Sequence, residues 1–138
     1  AALFETDSTV TTVSFHCEKN FPFRKMRSDF DVALEEGVGD DAYLGKLEHF
    51  LESEMRSRDF DLLFFQAGVD GLKTARLGHL ALPREGMKRR NEIVFAFAAN
   101  KGVPLVVTMG GGYGEPIETS VAAHADLFSG AARIHSPA

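Results

Sequence analysis

Two apolar segments, Leu62-Leu63-Phe64-Phe65 and Leu105 to Met109, constrain the fold of this chain more than any other feature. Continuous hydrophobicity over so few residues, without alternation, is the pattern of strands covered on both faces. The segment between them has helical character from about Pro83, which suits a first turn, to about Asn100, with Lys101-Gly102 as a stop and Pro104 beyond. Two strands joined through a helix imply a parallel pair with a right-handed crossover, because a parallel pair cannot be closed by a tight turn. The predicted class is therefore α/β, a parallel sheet with helical crossovers.

The remaining segments extend this alternation. Thr9 to Phe15 is short and β-branched, which predicts a strand; His16 to Asp29 reads as irregular; Val32 to Leu34 is a second short apolar piece. From Asp40, the residues Tyr43, Leu44, Leu47, Phe50, Leu51 and Met55 fall at helical spacing, after the loop signal Glu35-Glu36-Gly37-Val38-Gly39. Pro116 opens a last helix whose apolar face is predicted to include Ile117, Val121, Ala125 and Phe128. The expected order is strand, helix, strand, helix, strand, helix. In such sheets ligands gather beyond the carboxyl ends of the strands, so His16 to Phe23, Gln66 to Leu72 and Gly110 to Gly114 should converge on one edge.

Composition excludes several functions. At 138 residues and 44% hydrophobic composition the chain can bury a core as one domain, and no apolar stretch reaches the roughly 20 residues of a membrane span. A net charge of -5 gives no general attraction for a nucleic-acid backbone. A single cysteine, Cys17, cannot form an internal disulfide, so a cytoplasmic or nuclear setting is expected. The chain starts at Ala1 without Met, which suggests an upstream segment.

Few residues carry recognisable chemistry. Asp70, in Ala67-Gly68-Val69-Asp70-Gly71 just past a strand, is a candidate metal ligand or acid-base group, or equally a turn cap. Gly110-Gly111-Gly112-Tyr113-Gly114 lacks the spacing of a phosphate loop, since position 115 is Glu and no Gly-Lys-Ser/Thr follows. Tyr113 remains as a phenol able to donate to a developing oxyanion, or as an ordinary rim tyrosine. His16, His49, His79, His124 and His135 show no metal-binding spacing and read as surface or packing residues. Cys17 beside His16 is disfavoured as a nucleophile pair because neighbours on a strand face opposite sides, and Lys88-Arg89-Arg90 reads as a solvated helix face.

Six blocks in order resemble the histone deacetylase family: Val13-Ser14-Phe15-His16, Asn20 to Lys25, Gly37 to Leu44, Gln66-Ala67-Gly68-Val69-Asp70, Arg76-Leu77-Gly78 and Gly110-Gly111-Gly112-Tyr113. The resemblance implies the C-terminal part of one catalytic domain of the arginase-deacetylase fold, with zinc at the carboxyl edge of the sheet. It implies that Asp70 is a zinc ligand and that Tyr113 hydrogen-bonds the carbonyl oxygen of an acyl-lysine. It further implies that Phe21 is a wall of the acyl-lysine channel and that Leu77 and Gly111 line the pocket. Ser14 and Phe15 resemble a monovalent cation site, with K+ as the ion, and Phe4, Asp7 and Val10 a second.

Departures from the family pattern are as informative. Neither the Asp-x-His metal motif nor the His-His pair of the family is present. Catalytic zinc usually has three protein ligands, and this sequence offers one. The expectation is thus a partial chain of a zinc-dependent deacylase acting on acyl-lysine proteins or acylated small amines, with its upstream part as partner. The alternatives are a non-catalytic remnant serving as an interaction or structural module and, less well supported, a nucleotide-binding domain.

Overall fold

The structure, a computed structural model, describes residues 1–135. After a short 3-10 turn at Ala2–Phe4, the elements are β1 (Val13–Cys17), β2 (Phe30–Leu34), α1 (Asp40–Phe50), β3 (Leu63–Gln66), α2 (Arg84–Lys101), β4 (Leu105–Thr108) and α3 (Ile117–His135). The strands form two parallel pairs: β1 lies beside β2 with Val13 opposite Phe30, and β3 beside β4 with Leu63 opposite Leu105.

Helix limits follow the local chemistry. Asp40 and Asp41 occupy the first turn of α1, where negative charge meets the positive end of the helix dipole. A π-helical turn, Leu51–Met55, continues α1 and keeps Met55 buried. α2 begins after Pro83 and stops at Gly102, which takes φ 65° and donates its amide back to the last turn. Tyr43, Leu44 and Leu47 of α1 pack with Leu34, Val69, Leu72, Leu82 and Met87 in the main core. Ala67, Phe95 and Leu127 form a second cluster, against which Phe65 and Val107 also pack.

Several expectations are corrected. The first strand covers Val13–Cys17, so Thr9 lies outside it and His16 and Cys17 lie within it. Thr9 is instead bonded to the Asp7 carboxylate, closing a turn, and Thr12 to that of Asp29, tying the start of β1 to the start of β2. The connection from β1 to β2 contains no helix, in keeping with the irregular reading of that segment, but the piece Val32 to Leu34 belongs to a full strand, β2, which the expected strand and helix order did not count.

The two apolar strands are not covered on both faces. Phe65, Leu105 and Val107 turn toward α2 and α3, whereas Phe64 is 72% exposed and Val106 is exposed beside it. The apolar face assigned to α3 is also the wrong one. Ile117, Val121, Ala125 and Phe128 are exposed, and Ser120, Ala123 and Leu127 are buried. The small side of α3 is the one that approaches α2, held by the bidentate Arg84 to Asp126 pair at 2.6 and 2.8 Å. Among the described residues, no helix is long and apolar enough to cross a membrane.

Candidate functional site

The loops after β3 and β4 touch through their glycines. A β-carbon on Gly110 would stand 2.7 Å from Gly68 Cα and 2.8 Å from Gly68 N, so only hydrogen fits between the two backbones. One residue further along each loop, the Val69 amide donates to the Gly111 carbonyl at 2.6 Å. The Asp70 carboxylate folds back over Gly68, since a β-carbon there would lie 2.7 Å from Asp70 Oδ1 and 3.2 Å from the Gly111 amide nitrogen. Asp70 is exposed, with Gly111 beside it.

Tyr113 follows directly. Its side chain is 67% exposed, and its carbonyl accepts the Arg76 amide at 3.1 Å. That bond, with the bridge between Ala75 and Gly114, brings the segment carrying Leu77 alongside the glycine loop. Leu77 and Phe21 are both exposed apolar side chains, and the Phe21 ring meets Phe23 edge-on at 6.3 Å. The Lys25 ammonium holds the Phe21 loop by donating to the carbonyls of Glu18 and Asn20 at 2.9 Å and of Pro22 at 3.3 Å.

Beneath Asp70 lies a cavity of about 40 Å³, lined in part by His16, Cys17, Asn20, Tyr43, Asp70 and Arg90. It has room for water and not for a substrate. Its lining joins the end of β1 to the end of β3, so the predicted convergence of strand-end loops extends to both parallel pairs. Cys17 is fully buried, which agrees with its dismissal as a nucleophile, and Asn20 Oδ1 is buried with no hydrogen-bond partner among the described residues.

Arg90 corrects the reading of Lys88-Arg89-Arg90 as a solvated face, being only 7% exposed. Its Nη1 donates to the Gly68 carbonyl at 2.6 Å, and Nε and Nη2 donate to Asn91 Oδ1 at 3.1 and 2.8 Å. Its guanidinium stands over the Phe65 ring at 5.3 Å. Burial disfavours its charge, while the fields of Tyr43 and Asp70 and a hydrogen bond with Tyr43 favour it. Burial also pushes the Tyr43 phenol above its ordinary value, against the pull of Arg90. The signal that could have singled out Arg90 is its spacing, three residues after buried Met87 on the inward face of α2.

Of the histidines, His49 and His79 are exposed, and His79 pairs with Glu36 at 2.9 Å. His16 shares a hydrogen bond with Ser14 Oγ at 2.9 Å. The side chain of His135 lies outside the described residues. Ser14 and Phe15 sit together on β1, while Phe4, Asp7 and Val10 fall on successive turns in which the carbonyls of Phe4 and Asp7 accept the amides of Asp7 and Val10.

Among the described residues, no three His, Cys, Asp or Glu side chains are grouped to hold a metal ion. Asp70 alone does not make a zinc site, and these residues do not hold the metal by themselves.

Residues 1–128 match the family model described as the histone deacetylase domain. An uncharacterized protein of Picosynechococcus is 42% identical over 135 residues, which are 98% of this chain and 45% of that protein. Histone deacetylase 2 of Arabidopsis thaliana is 38% identical over 94 residues, covering 67% of this chain and 24% of its own. The chain therefore spans less than half the length of these curated relatives. Two solved structures share the fold at low identity. Acetylpolyamine aminohydrolase from Burkholderia pseudomallei superposes with a TM-score of 0.70 at 22% identity, over 87% of this chain and 37% of that one. The HDA15 HD domain gives 0.72 at 20%, over 92% and 40%. The fold is accordingly an incomplete α/β fold of the arginase-deacetylase type.

Proposed function

The chain belongs to the histone deacetylase domain family, and on that premise we propose that it forms part of a zinc-dependent amidohydrolase site that removes acyl groups from amines. In this reading Asp70 is one ligand of the zinc, and the other ligands and the proton-handling histidines come from outside these 138 residues. Tyr113 donates its phenolic hydrogen to the carbonyl oxygen of the acyl group as that oxygen gains charge. Phe21 and Leu77 are apolar walls for the acyl chain and its alkyl amine, and Gly111 lets the substrate approach the backbone. The substrate is an acyl-lysine of a protein or an acylated small amine. Ser14 and Phe15, and with them Phe4, Asp7 and Val10, are proposed to hold K+.

The observation that carries this reading is the 2.6 Å bond from the Val69 amide to the Gly111 carbonyl, which sets the Asp70 loop against the loop of Tyr113. The test is made on the full-length protein with an acetyl-lysine peptide. Asp70→Ala should lower the zinc content and abolish hydrolysis, and Tyr113→Phe should keep the zinc while lowering turnover about 100- to 1000-fold, as the loss of an oxyanion donor does. Undiminished zinc and turnover in both variants would remove Asp70 and Tyr113 from the site, and no zinc and no hydrolysis in the unaltered protein would favour an interaction module instead, for which the exposed Phe64 and Val121 are the supporting observation.

A further inference from the structure

We propose that Arg90 is a positioning residue that locks the Asp70 loop and the Tyr113 loop into one unit; its catalytic consequence rests on the deacylase reading, its structural consequence does not. Arg90 belongs to α2, yet its shortest bond, 2.6 Å from Nη1, leaves the helix and ends on the Gly68 carbonyl, two residues before Asp70. Gly68 in turn lies against Gly110, and the next residue, Val69, donates to Gly111. A pull on the Gly68 carbonyl is therefore transmitted to both loops through backbone in direct contact.

The chemistry of the partners argues for geometry over charge pairing. The hydrogen-bond acceptors of this buried cation are neutral, a backbone carbonyl and the Asn91 amide oxygen, and the Tyr43 phenol beside it favours its charge. Burying a charge without a closely paired counter-charge is costly, and a core position needs no such group for packing alone. What a guanidinium supplies is a rigid planar fork, here spanning Asn91 with two nitrogens and Gly68 with a third. The Phe65 ring under the guanidinium fixes the plane of the fork, with the Tyr43 phenol as a further neighbour that favours its charge. A lysine carries the charge but not the fork.

The experiment uses the full-length protein and its Arg90→Lys and Tyr43→Phe variants. Amide hydrogen exchange is followed residue by residue, and kcat and KM are measured with an acetyl-lysine peptide. In Arg90→Lys the Val69 amide should exchange at least about 10-fold faster, the effect of losing one hydrogen bond to a charged group. Amides of β4 should keep their protection. At the same time kcat should fall about 100-fold with KM little changed, as expected for a displacement of catalytic groups of the order of 1 Å. Wild-type exchange at Val69 in a folded Arg90→Lys protein would overturn the proposal. If Arg90→Lys does not fold, Tyr43→Phe decides, because it removes one partner of the guanidinium and leaves the ring in place: faster Val69 exchange supports the lock, and unchanged exchange overturns it. Faster exchange with unchanged kcat would uphold the lock and overturn its catalytic consequence, whereas no hydrolysis by the unaltered protein would count against the deacylase reading alone.

Discussion

The Val69 amide donates to the Gly111 carbonyl at 2.6 Å, and this bond ties the loop after β3 to the loop after β4. Its length depends on the absence of a side chain one step away, where a β-carbon on Gly110 would meet the Gly68 backbone at 2.7 Å. Gly110→Ala should therefore push the loops apart and destabilise the full-length protein by about 1–3 kcal/mol, the usual cost of overpacking a rigid contact. Urea denaturation checks this, and an unchanged midpoint would show that the contact is soft.

Stability should fall as the solution is acidified from neutrality. The Nδ1 atom of His124 is buried without a hydrogen-bond partner among the described residues, and burial together with the charge of Arg90 holds its pKa below the ordinary 6.5. The folded chain then resists a proton that the unfolded chain accepts, so the unfolded state binds more protons in the window below pH 6.5. Stability is full above that value and is lost as pH falls through the window. His16 adds the same sign, through burial and then the charge of Lys25. Urea midpoints measured between about pH 7.5 and about pH 5.5 should decline, and His124→Leu should flatten the decline. An equal slope in that variant would remove His124 from the effect.

The 138-residue chain by itself should self-associate. Phe64 and Val106 are exposed on the free face of β3 and β4, and Ile117, Val121 and Phe128 along α3. Exposed apolar surface of this kind drives association. Sedimentation velocity should show concentration-dependent growth that Phe64→Lys and Val121→Lys together suppress. A single monomer boundary at high concentration for the unaltered chain would contradict the prediction.

Much of the fold is legible in the sequence, and what is not has physical reasons. α1 and α2 declare themselves by spacing and by their ends, Asp40-Asp41 at one and Gly102 at another. The glycine loop and Asp70 are legible as strand-end features because a parallel sheet sends them to one edge. The inward face of α3 is not legible, because apolar residues occur on both of its sides and the smaller side packs against α2. Phe64 and Val106 read as buried because their composition is that of a central strand, while the described residues supply no cover for that face. Arg90 is hidden in a basic triplet whose composition says solvent; only its place on the helix, three residues from Met87, says core.

The central claim is that these residues hold one part of a hydrolytic site completed from elsewhere in the protein. The most direct measurement is hydrolysis of an acetyl-lysine peptide by the 138-residue chain with zinc, before and after addition of a separately made segment carrying the rest of the domain. No hydrolysis before the addition and zinc-dependent hydrolysis after it is the predicted result, with folding and metal binding appearing together. Hydrolysis by the chain alone, abolished by Asp70→Ala, would contradict the claim.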